Sequence, residues 1–268
     1  MMTAIYIILS ILILLLVLYL LVFIRPNAKI PQDKRLLCNY AHRGLWNENF
    51  PENSIPAFQN AVDNGYGIEL DVQLSRDGEV VIFHDYSLLR MTGCDKKVCE
   101  LSLEELKQLN LKETNQKIPT FKEVLALVDG KVPILVELKG ETLDTSLCPK
   151  VAGILKTYKG PYCIESFNPL LIKAMRKFLP EVFYGQLYTN VCRDKKKYSP
   201  LNILLTLMIF NFLAKPNFIA YNKLDRKNFA VKLTTSVYKA PKFVWTAETN
   251  EEIGSAKTLG EYPIFELK

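Results

Sequence analysis

The stretch Gly67–Asp85, with the sequence GIELDVQLSRDGEVVIFHD, is the most informative about the fold of this 268-residue chain. In its first eight residues the apolar Ile68, Leu70, Val72 and Leu74 alternate with polar residues, a period of two that is typical of a β-strand. Asp77-Gly78 is a strong signal for a tight turn, so Val80–His84 is predicted to run back antiparallel to that strand. This hairpin interrupts an otherwise regular alternation of strands and helices.

Strand-like runs alternate with helical patterns on both sides of this stretch, which favours an α/β chain with a parallel sheet. Eight runs are predicted as barrel strands: Leu37–His42, Gly67–Leu74, Pro133–Leu138, Tyr162–Ser166, Val182–Leu187, Asn217–Tyr221, Lys242–Thr246 and Tyr262–Leu267. Helices are predicted over Ser54–Asn64, Thr120–Val128, Pro149–Tyr158, Pro169–Phe178, Pro200–Ala214, Asn228–Tyr238 and Glu251–Leu259. Residues 37–268 are therefore predicted to form a (β/α)8 TIM barrel, with residues 85–116 inserted after the second strand as a small cap.

The first 24 residues carry no charged side chain and are rich in Ile, Leu and Val. About 20 apolar residues cross a bilayer as a helix, so residues 1–24 are predicted to form a transmembrane helix. A cleaved signal peptide is the alternative, but no basic residue precedes the run and no small-residue cleavage site follows it. Basic residues mark the linker 25–36, and the positive-inside rule then predicts a single-pass membrane protein whose catalytic domain is cytoplasmic.

The charge and the cysteine content limit the classes of partner and metal that we expect. The net charge of +6 is modest and suits an anionic substrate or an anionic lipid surface, and we expect no nucleic-acid partner. The six cysteines show no compact disulfide framework and no Cys-x-x-Cys pair, so zinc is not expected.

Three acidic residues are predicted to meet at the carboxyl end of the barrel. Glu69 and Asp71 are two residues apart in one strand and therefore share a face, and Glu137 ends the next barrel strand. Buried carboxylates repel one another unless a cation lies between them. Hard oxygen donors favour a divalent cation, Mg²⁺ or Ca²⁺. The alternative is a solvated strand end that is paired with lysines.

Both histidines of the chain, His42 and His84, fall at strand ends beside these carboxylates. Imidazole, with an ordinary pKa of ~6.5, serves as acid or base near neutral pH. One histidine of a pair can take a proton from the nucleophile while the other protonates the leaving group. Asp85 either orients an imidazole or caps the following turn.

Two cations and two polar residues complete the predicted site. Arg43 and Lys139 suit phosphate oxygens, although either could form a surface ion pair. Glu52 and Asn53 either hydrogen-bond site residues or cap the first helix of the barrel. The set predicts metal-assisted acid–base chemistry on a phosphate ester.

Several of these segments together resemble the glycerophosphodiester phosphodiesterase family. They are Ala41-His42-Arg43-Gly44, Pro51-Glu52-Asn53-Ser54, Glu69-Leu70-Asp71-Val72, Asp77-Gly78, Val81-Ile82-Phe83-His84-Asp85 and Glu137-Leu138-Lys139, with weaker matches at Glu165-Ser166-Phe167-Asn168-Pro169 and Val244-Trp245-Thr246. The resemblance implies a TIM barrel with an insertion after its second strand, a bound divalent cation, and hydrolysis of glycerophosphodiesters to glycerol 3-phosphate and an alcohol.

The resemblance also assigns roles. It implies that His42 and His84 are the acid–base pair, that Arg43 and Lys139 hold the phosphate, and that the metal ligands are Glu69, Asp71 and Glu137. Trp245 is a candidate for substrate contact or support of the site. The last predicted strand departs from the family pattern, and no site residue is predicted in it.

The segment Leu201–Ala214 is apolar on all sides of its predicted helix and too short to span a bilayer. Arg193 and Lys195–Lys197 precede it. It either packs on the barrel as an outer helix or, with residues 193–214 together, docks on anionic lipid. In the second case, lysophospholipids join the small glycerophosphodiesters as expected substrates.

Two other functions remain open on the sequence alone. One is a related TIM-barrel phospholipase that acts on phosphatidylinositol or sphingolipid head groups. The other is a catalytically silent barrel that binds lipid. The sequence also leaves open a direct hydrolysis or a cyclic phosphate intermediate.

Overall fold

The structure, a computed structural model, describes residues 2–140 and 142–267, so the predicted boundaries at Met1 and Lys268 lie outside it. Within the described residues, nine strands form one sheet. They are β1 (Tyr40–Ala41), β2 (Gly67–Leu74), β3 (Val80–Ile82), β4 (Ile134–Leu138), β5 (Tyr162–Ser166), β6 (Tyr184–Tyr188), β7 (Phe218–Asn222), β8 (Lys242–Ala247) and β9 (Glu261–Phe265).

The parallel strands close into a barrel, which confirms the predicted TIM-barrel fold. Closure occurs at β1, which pairs with β2 on one side and with β9 on the other. The predicted hairpin is present: β3 runs antiparallel to β2, with Val72 opposite Ile82. Gly78 supplies the turn with a φ of +80°, a conformation that glycine adopts without steric cost.

The barrel strands alternate between an outer and an inner face. Ile134 and Val136 point to the helices, whereas Leu135 lies in an inner cluster with Phe218 and Phe243. Glu137 is two residues beyond Leu135 and therefore shares its inward face. The amino-terminal half of the interior is thus an aromatic and aliphatic core, and charged residues follow it at the carboxyl end.

Twelve α-helices lie within the described residues, and several are short. They are α1 (Met2–Leu18), α2 (Ile55–Asp63), α3 (Leu89–Thr92), α4 (Leu103–Gln108), α5 (Phe121–Val128), α6 (Leu147–Leu155), α7 (Pro169–Phe178), α8 (Val191–Asp194), α9 (Pro200–Thr206), α10 (Asn211–Ala214), α11 (Phe229–Lys232) and α12 (Asn250–Thr258). Residues 85–116 contain α3 and α4, whose apolar side chains pack with Val81 and Phe83 of the hairpin.

Two predicted helices and one predicted strand differ most from the structure, and several other elements are shifted by one to three residues at their ends. The single helix predicted over residues 200–214 is wrong, because a turn at residues 207–210 separates α9 from α10. Met208 has a φ of +52° in that turn, which ends the first helix. The helix predicted to reach Tyr238 is α-helical only in α11 and continues as a π-helical turn, Leu233–Val237. Strand β1 is shorter than predicted, since only Tyr40 and Ala41 pair with the neighbouring strands β2 and β9.

The apolar amino-terminal segment is one helix that ends on the barrel. Met2–Phe23, which is α1 followed by a π-helical turn, is long and apolar enough to cross a membrane by length and composition. Its end contacts α10 and the turn before it: Tyr19 Oη donates to the Leu207 carbonyl (3.1 Å), and Asn211 Nδ2 donates to the Ile24 carbonyl (2.8 Å).

Candidate active site

Three carboxylates converge at the carboxyl end of the barrel. Glu69, Asp71 and Glu137 each offer an oxygen atom within 4.8 Å of the others, and all three residues are buried. Adjacent parallel strands bring them together, because Asp71 of β2 lies opposite Glu137 of β4. Glu165 of β5 lies opposite Glu137 and adds a fourth buried carboxyl group, which the sequence reasoning did not include.

The cations beside the four carboxyl groups are too few to keep all four groups ionised. Burial, followed by repulsion from Asp71, Glu137 and Glu165, raises the pKa of Glu69 well above its ordinary value. Burial likewise raises the pKa of Glu137 to about 7, against the attraction of Lys139. Asp71 has a lowered pKa, because the nearby cations outweigh the effect of its burial. One acidic group is therefore held ionised at the expense of its neighbours.

The donor set fits a hard divalent cation. Asp71 Oδ1 is buried 3.3 Å from the Lys139 ammonium, and Glu165 Oε2 is buried and makes no hydrogen bond within the described part of the chain. Unpaired buried oxygens of this kind are costly unless a cation compensates them. Carboxylate oxygens without a thiolate suit Mg²⁺ or Ca²⁺.

Lys139 lies inside the acidic group. Its Nζ atom is 2.9 Å from Glu137 Oε1 and 3.3 Å from Asp71 Oδ1. Burial disfavours its charge, but Glu137 and Asp71 more than offset this, and its pKa is raised. Its ammonium group is therefore a permanent positive charge beside the carboxylates.

The loop after β1 holds Arg43 in a left-handed conformation, with φ +59°. This turn directs its backbone N–H to Glu69 Oε2 (2.9 Å), while Nη1 donates to Glu52 Oε1 (2.9 Å). Burial disfavours the guanidinium charge, yet Asp71, Glu52 and Glu69 raise the pKa of Arg43. Its Nε atom is buried without a hydrogen-bond partner, so one donor remains for another acceptor.

Glu52 and Asn53 both bond to site residues, and the cap of α2 is Ser54 instead. Asn53, with φ +55°, donates from Nδ2 to Asp71 Oδ2 (2.9 Å). Glu52 accepts from both Arg43 and Arg90. The segment after Pro51 therefore fixes one acidic and one basic side chain of the site.

The His42 ring lies between two carboxylates. Its Nδ1 atom is 3.0 Å from Glu266 Oε2, and its Nε2 atom is 4.0 Å from Glu69 Oε2. With Glu266 ionised, Nδ1 carries the proton and donates it, which leaves Nε2 facing the acidic group. No site residue was predicted in the last strand, yet Glu266, just after β9, contacts the His42 ring. Barrel closure places β9 next to β1, so the position of Glu266 after β9 was a signal for this contact.

His84 is held by a chain of polar contacts. Its Nδ1 atom is 2.6 Å from Asp85 Oδ1, and Arg90 Nε donates to Asp85 Oδ2 (2.6 Å). Gln73 donates to the Phe83 carbonyl (2.7 Å) and anchors the backbone of the hairpin. Burial lowers the pKa of His84, which favours the neutral ring.

Gln73 and Arg90 were not predicted. Gln73 is two residues beyond Asp71 and shares its inward face, so the strand period could have identified it. Arg90 belongs to the insertion, and no pattern in the sequence indicated it.

Trp245 lies at the mouth of the barrel. Its Nε1 atom donates to the Ala220 carbonyl (3.2 Å), and its ring packs edge-to-face on Phe167 at 5.7 Å between centroids. These contacts place it beside the loop that follows β5.

Known proteins share both the sequence pattern and the barrel. A sequence model of the glycerophosphoryl diester phosphodiesterase family matches residues 42–265. A glycerophosphodiester phosphodiesterase of Caldanaerobacter subterraneus subsp. tengcongensis is 36% identical over 159 residues, 55% of this chain and 65% of that protein. The match therefore spans slightly less than two thirds of that relative.

Two solved structures have the same fold. The glycerophosphodiester phosphodiesterase of Thermotoga maritima is 27% identical and has a TM-score of 0.65, over 85% of this chain and 94% of that one. A phosphodiesterase of Oleispira antarctica, solved with its product sn-glycerol-3-phosphate, is 24% identical and has a TM-score of 0.69, over 85% of this chain and 92% of the other.

Proposed function

The chain belongs to the glycerophosphoryl diester phosphodiesterase family, and on that basis we propose that it hydrolyses glycerophosphodiesters to glycerol 3-phosphate and an alcohol. The observation that carries the proposal is the buried group Glu69, Asp71 and Glu137, which is flanked by two histidines at one end of the barrel. The product bound to the Oleispira antarctica relative supports the choice of glycerol 3-phosphate.

The three carboxylates would hold a divalent cation, Mg²⁺ or Ca²⁺. When bound, such an ion polarises phosphate oxygens and balances the charge that develops in the transition state. Asn53 fixes Asp71 by a hydrogen bond of 2.9 Å, and the Arg43 backbone fixes Glu69 by another of 2.9 Å. The ligand oxygens are thus oriented by the protein itself.

Arg43 and Lys139 are assigned to the phosphate. Arg43 keeps a buried Nε–H that makes no hydrogen bond within the described residues, and a non-bridging phosphate oxygen would accept it. Lys139 supplies a compact positive charge beside the acidic group. The two cations would hold the substrate phosphate and favour the more negative transition state.

The histidines are assigned to proton transfer. Glu266 holds the proton on Nδ1 of His42, so Nε2 is free to accept one. Asp85 orients His84 in the same way, and burial keeps that ring neutral until it receives a proton. One ring takes the proton of the nucleophile, a water molecule or the neighbouring glycerol hydroxyl. The other, once it has taken a proton from solvent, would give that proton to the departing alkoxide, which leaves as the alcohol, and the first ring would release its proton to solvent.

We extend the proposal to the membrane. Residues 1–24 would anchor the protein, residues 25–36 would link the anchor to a cytoplasmic catalytic domain, and residues 85–116 would cap that domain. Support for the cap comes from Arg90, which bonds both Glu52 and Asp85. Support for lipid docking of residues 193–214 comes from Tyr198 and Leu201, whose side chains are exposed beside Lys195–Lys197.

The experiment that tests the function measures glycerol 3-phosphate release from glycerophosphocholine by the full chain, with Mg²⁺ or Ca²⁺ and after chelation. Release is expected with a divalent cation and not without one. The thermal midpoint provides a readout besides activity: the cation should raise it, and Asp71→Asn should abolish the rise.

Other outcomes would point to other functions. Phosphatidylinositol and sphingomyelin, supplied in parallel, test the related phospholipases, and preferential cleavage of either would replace the proposal. A cation-dependent rise in the thermal midpoint without turnover of any of these substrates would indicate a silent barrel.

A further inference from the structure

A cavity of about 640 Å³ opens from the candidate active site. Glu137, Lys139 and Gln186 line its polar end. Small-molecule sites usually enclose ~300–1,000 Å³ and bury most of the ligand. The cavity is therefore large enough for a ligand that extends well beyond the reacting phosphate.

The far part of the cavity is apolar. One wall comes from α9, α10 and the turn between them: Leu201, Leu205, Met208, Phe210 and Leu213. The opposite side includes Phe167, which follows β5 and is 42% exposed. Apolar surface of this kind is unfavourable in contact with water, and an aliphatic ligand would cover it.

The segment that forms the apolar wall also holds the end of the apolar amino-terminal helix. Phe23 packs edge-to-face on Phe212 at 5.4 Å, and Asn211 Nδ2 donates to the Ile24 carbonyl (2.8 Å). No described residue of α1 is buried, as is required of a helix that faces lipid on all sides. The cavity wall therefore lies where that helix would leave a membrane.

Resting on the proposed function, we propose that this cavity is the acyl-chain site for a lysophospholipid. The phosphodiester lies at Lys139 and Arg43, and the single acyl chain lies along Leu205, Met208 and Phe210. One polar end that includes Lys139 and one apolar chamber match an amphiphile with one chain. Hydrolysis adds one water across the bond between phosphorus and the head-group oxygen; the alcohol leaves with a proton, and lysophosphatidate remains.

The test compares glycerophosphocholine with hexanoyl, octanoyl and decanoyl lysophosphatidylcholine, each below its micelle concentration. The full chain is used in nanodiscs of neutral lipid, and choline release gives kcat/KM. For the wild type, kcat/KM is expected to rise with chain length, by up to about fourfold for each methylene that enters the cavity. Leu205→Trp, which fills the apolar end, should remove this rise and leave glycerophosphocholine hydrolysis unchanged.

The matched control is Ile203→Trp, on the same helix but outside the cavity lining. It should keep the chain-length dependence. If Leu205→Trp does not fold, Leu201→Trp at the outer end of the same wall replaces it.

The outcomes separate the two proposals. Equal kcat/KM for all four substrates in the wild type, with glycerophosphocholine still cleaved, would overturn the acyl site alone. The acyl site would also be overturned if the cavity variant and the control variant had the same chain-length dependence. No hydrolysis of any substrate in the presence of Mg²⁺ or Ca²⁺ would overturn the proposed function itself.

Discussion

Glu266 and His42 meet across the seam where the barrel closes, at 3.0 Å between Oε2 and Nδ1. A carboxylate that fixes the tautomer of an imidazole supports its action as a base, because the wrong tautomer presents a proton where a base is needed. The contact joins residues that are far apart in the sequence, and it exists only because β9 lies beside β1.

Glu266→Gln is therefore expected to lower kcat about 10–100-fold, the range for loss of such an orienting partner. The amide can accept from Nδ1 only in one of its two orientations and carries no charge to stabilise the imidazolium. Glu251→Gln, at the exposed start of α12, is the matched control and should leave kcat unchanged. Equal kcat for the two variants would show that Glu266 does not position His42.

His42→Ala and His84→Ala are each expected to lower kcat about 10²–10⁴-fold, the usual contribution of a general acid or base. Both rings are partly exposed, so their removal should change the thermal midpoint little. Steady-state release of glycerol 3-phosphate, with the thermal midpoint measured in parallel, checks both statements. Near-normal turnover in either variant would remove that histidine from the proposed chemistry.

At the scale of elements, the regular strands were the most predictable part of the chain. β2 and β5 have the predicted bounds, because turn residues mark their ends: Asp77-Gly78 follows β2, and Gly160-Pro161 precedes β5. The hairpin was predictable from two residues, Asp77 and Gly78. The shared face of Glu69 and Asp71 followed from the period of two along a strand, and Glu137 from its place at the end of the next barrel strand.

The elements that the sequence did not predict depend on contacts made at a distance. The break between α9 and α10 coincides with the bond from Asn211 to the carbonyl of Ile24, a residue 187 positions away. Arg90, in the four-residue helix α3, bonds to Glu52, 38 positions away. No local pattern encodes either pairing, and both became visible only with the folded chain.

Two glycines in different elements offer a matched test of packing. A Cβ atom on Gly185 of β6 would clash with the Phe218 ring, which is held between Phe183 and Phe243. Gly185→Ala is thus expected to lower the free energy of unfolding by about 1–3 kcal/mol. Gly153→Ala, on the exposed side of α6 with open space around it, should raise it by about 0.5–1 kcal/mol.

Urea denaturation followed by circular dichroism measures both glycine variants. The essential result is that the free energy of unfolding changes in opposite directions in the two variants. The decrease for Gly185→Ala reports on packing in the aromatic core, and the increase for Gly153→Ala reports on helix propensity. A neutral Gly185→Ala would mean that the Phe218 ring can move aside, and the aromatic layer would then be looser than its ring contacts indicate.

At the scale of the whole molecule, three features lie on one side of the protein. The end of the apolar helix rests on α10, the apolar cavity wall is formed by the same segment, and Lys195–Lys197 precede it in an exposed loop. Loops that follow barrel strands lie at the carboxyl end, where the candidate active site also lies. A membrane at the end of the helix would therefore face the lysines and the mouth together.

Charge reversal of the three lysines tests this arrangement in the full chain. In nanodiscs with about 30% anionic lipid, the wild type is expected to show a lower KM for decanoyl lysophosphatidylcholine than in neutral nanodiscs, because each lysine near an anionic surface contributes about 1 kcal/mol. Replacing Lys195, Lys196 and Lys197 by Glu should abolish the difference, and high salt should abolish it in the wild type. The matched control replaces Lys131, Lys156 and Lys159 by Glu. These exposed lysines precede β4 and β5 at the other end of the barrel, so this variant should retain the difference in KM. If KM is still lower in anionic than in neutral nanodiscs for the variant with Lys195, Lys196 and Lys197 replaced, this loop does not hold the mouth of the barrel to the membrane. The two triple variants change the same number of charges and differ only in where these charges lie.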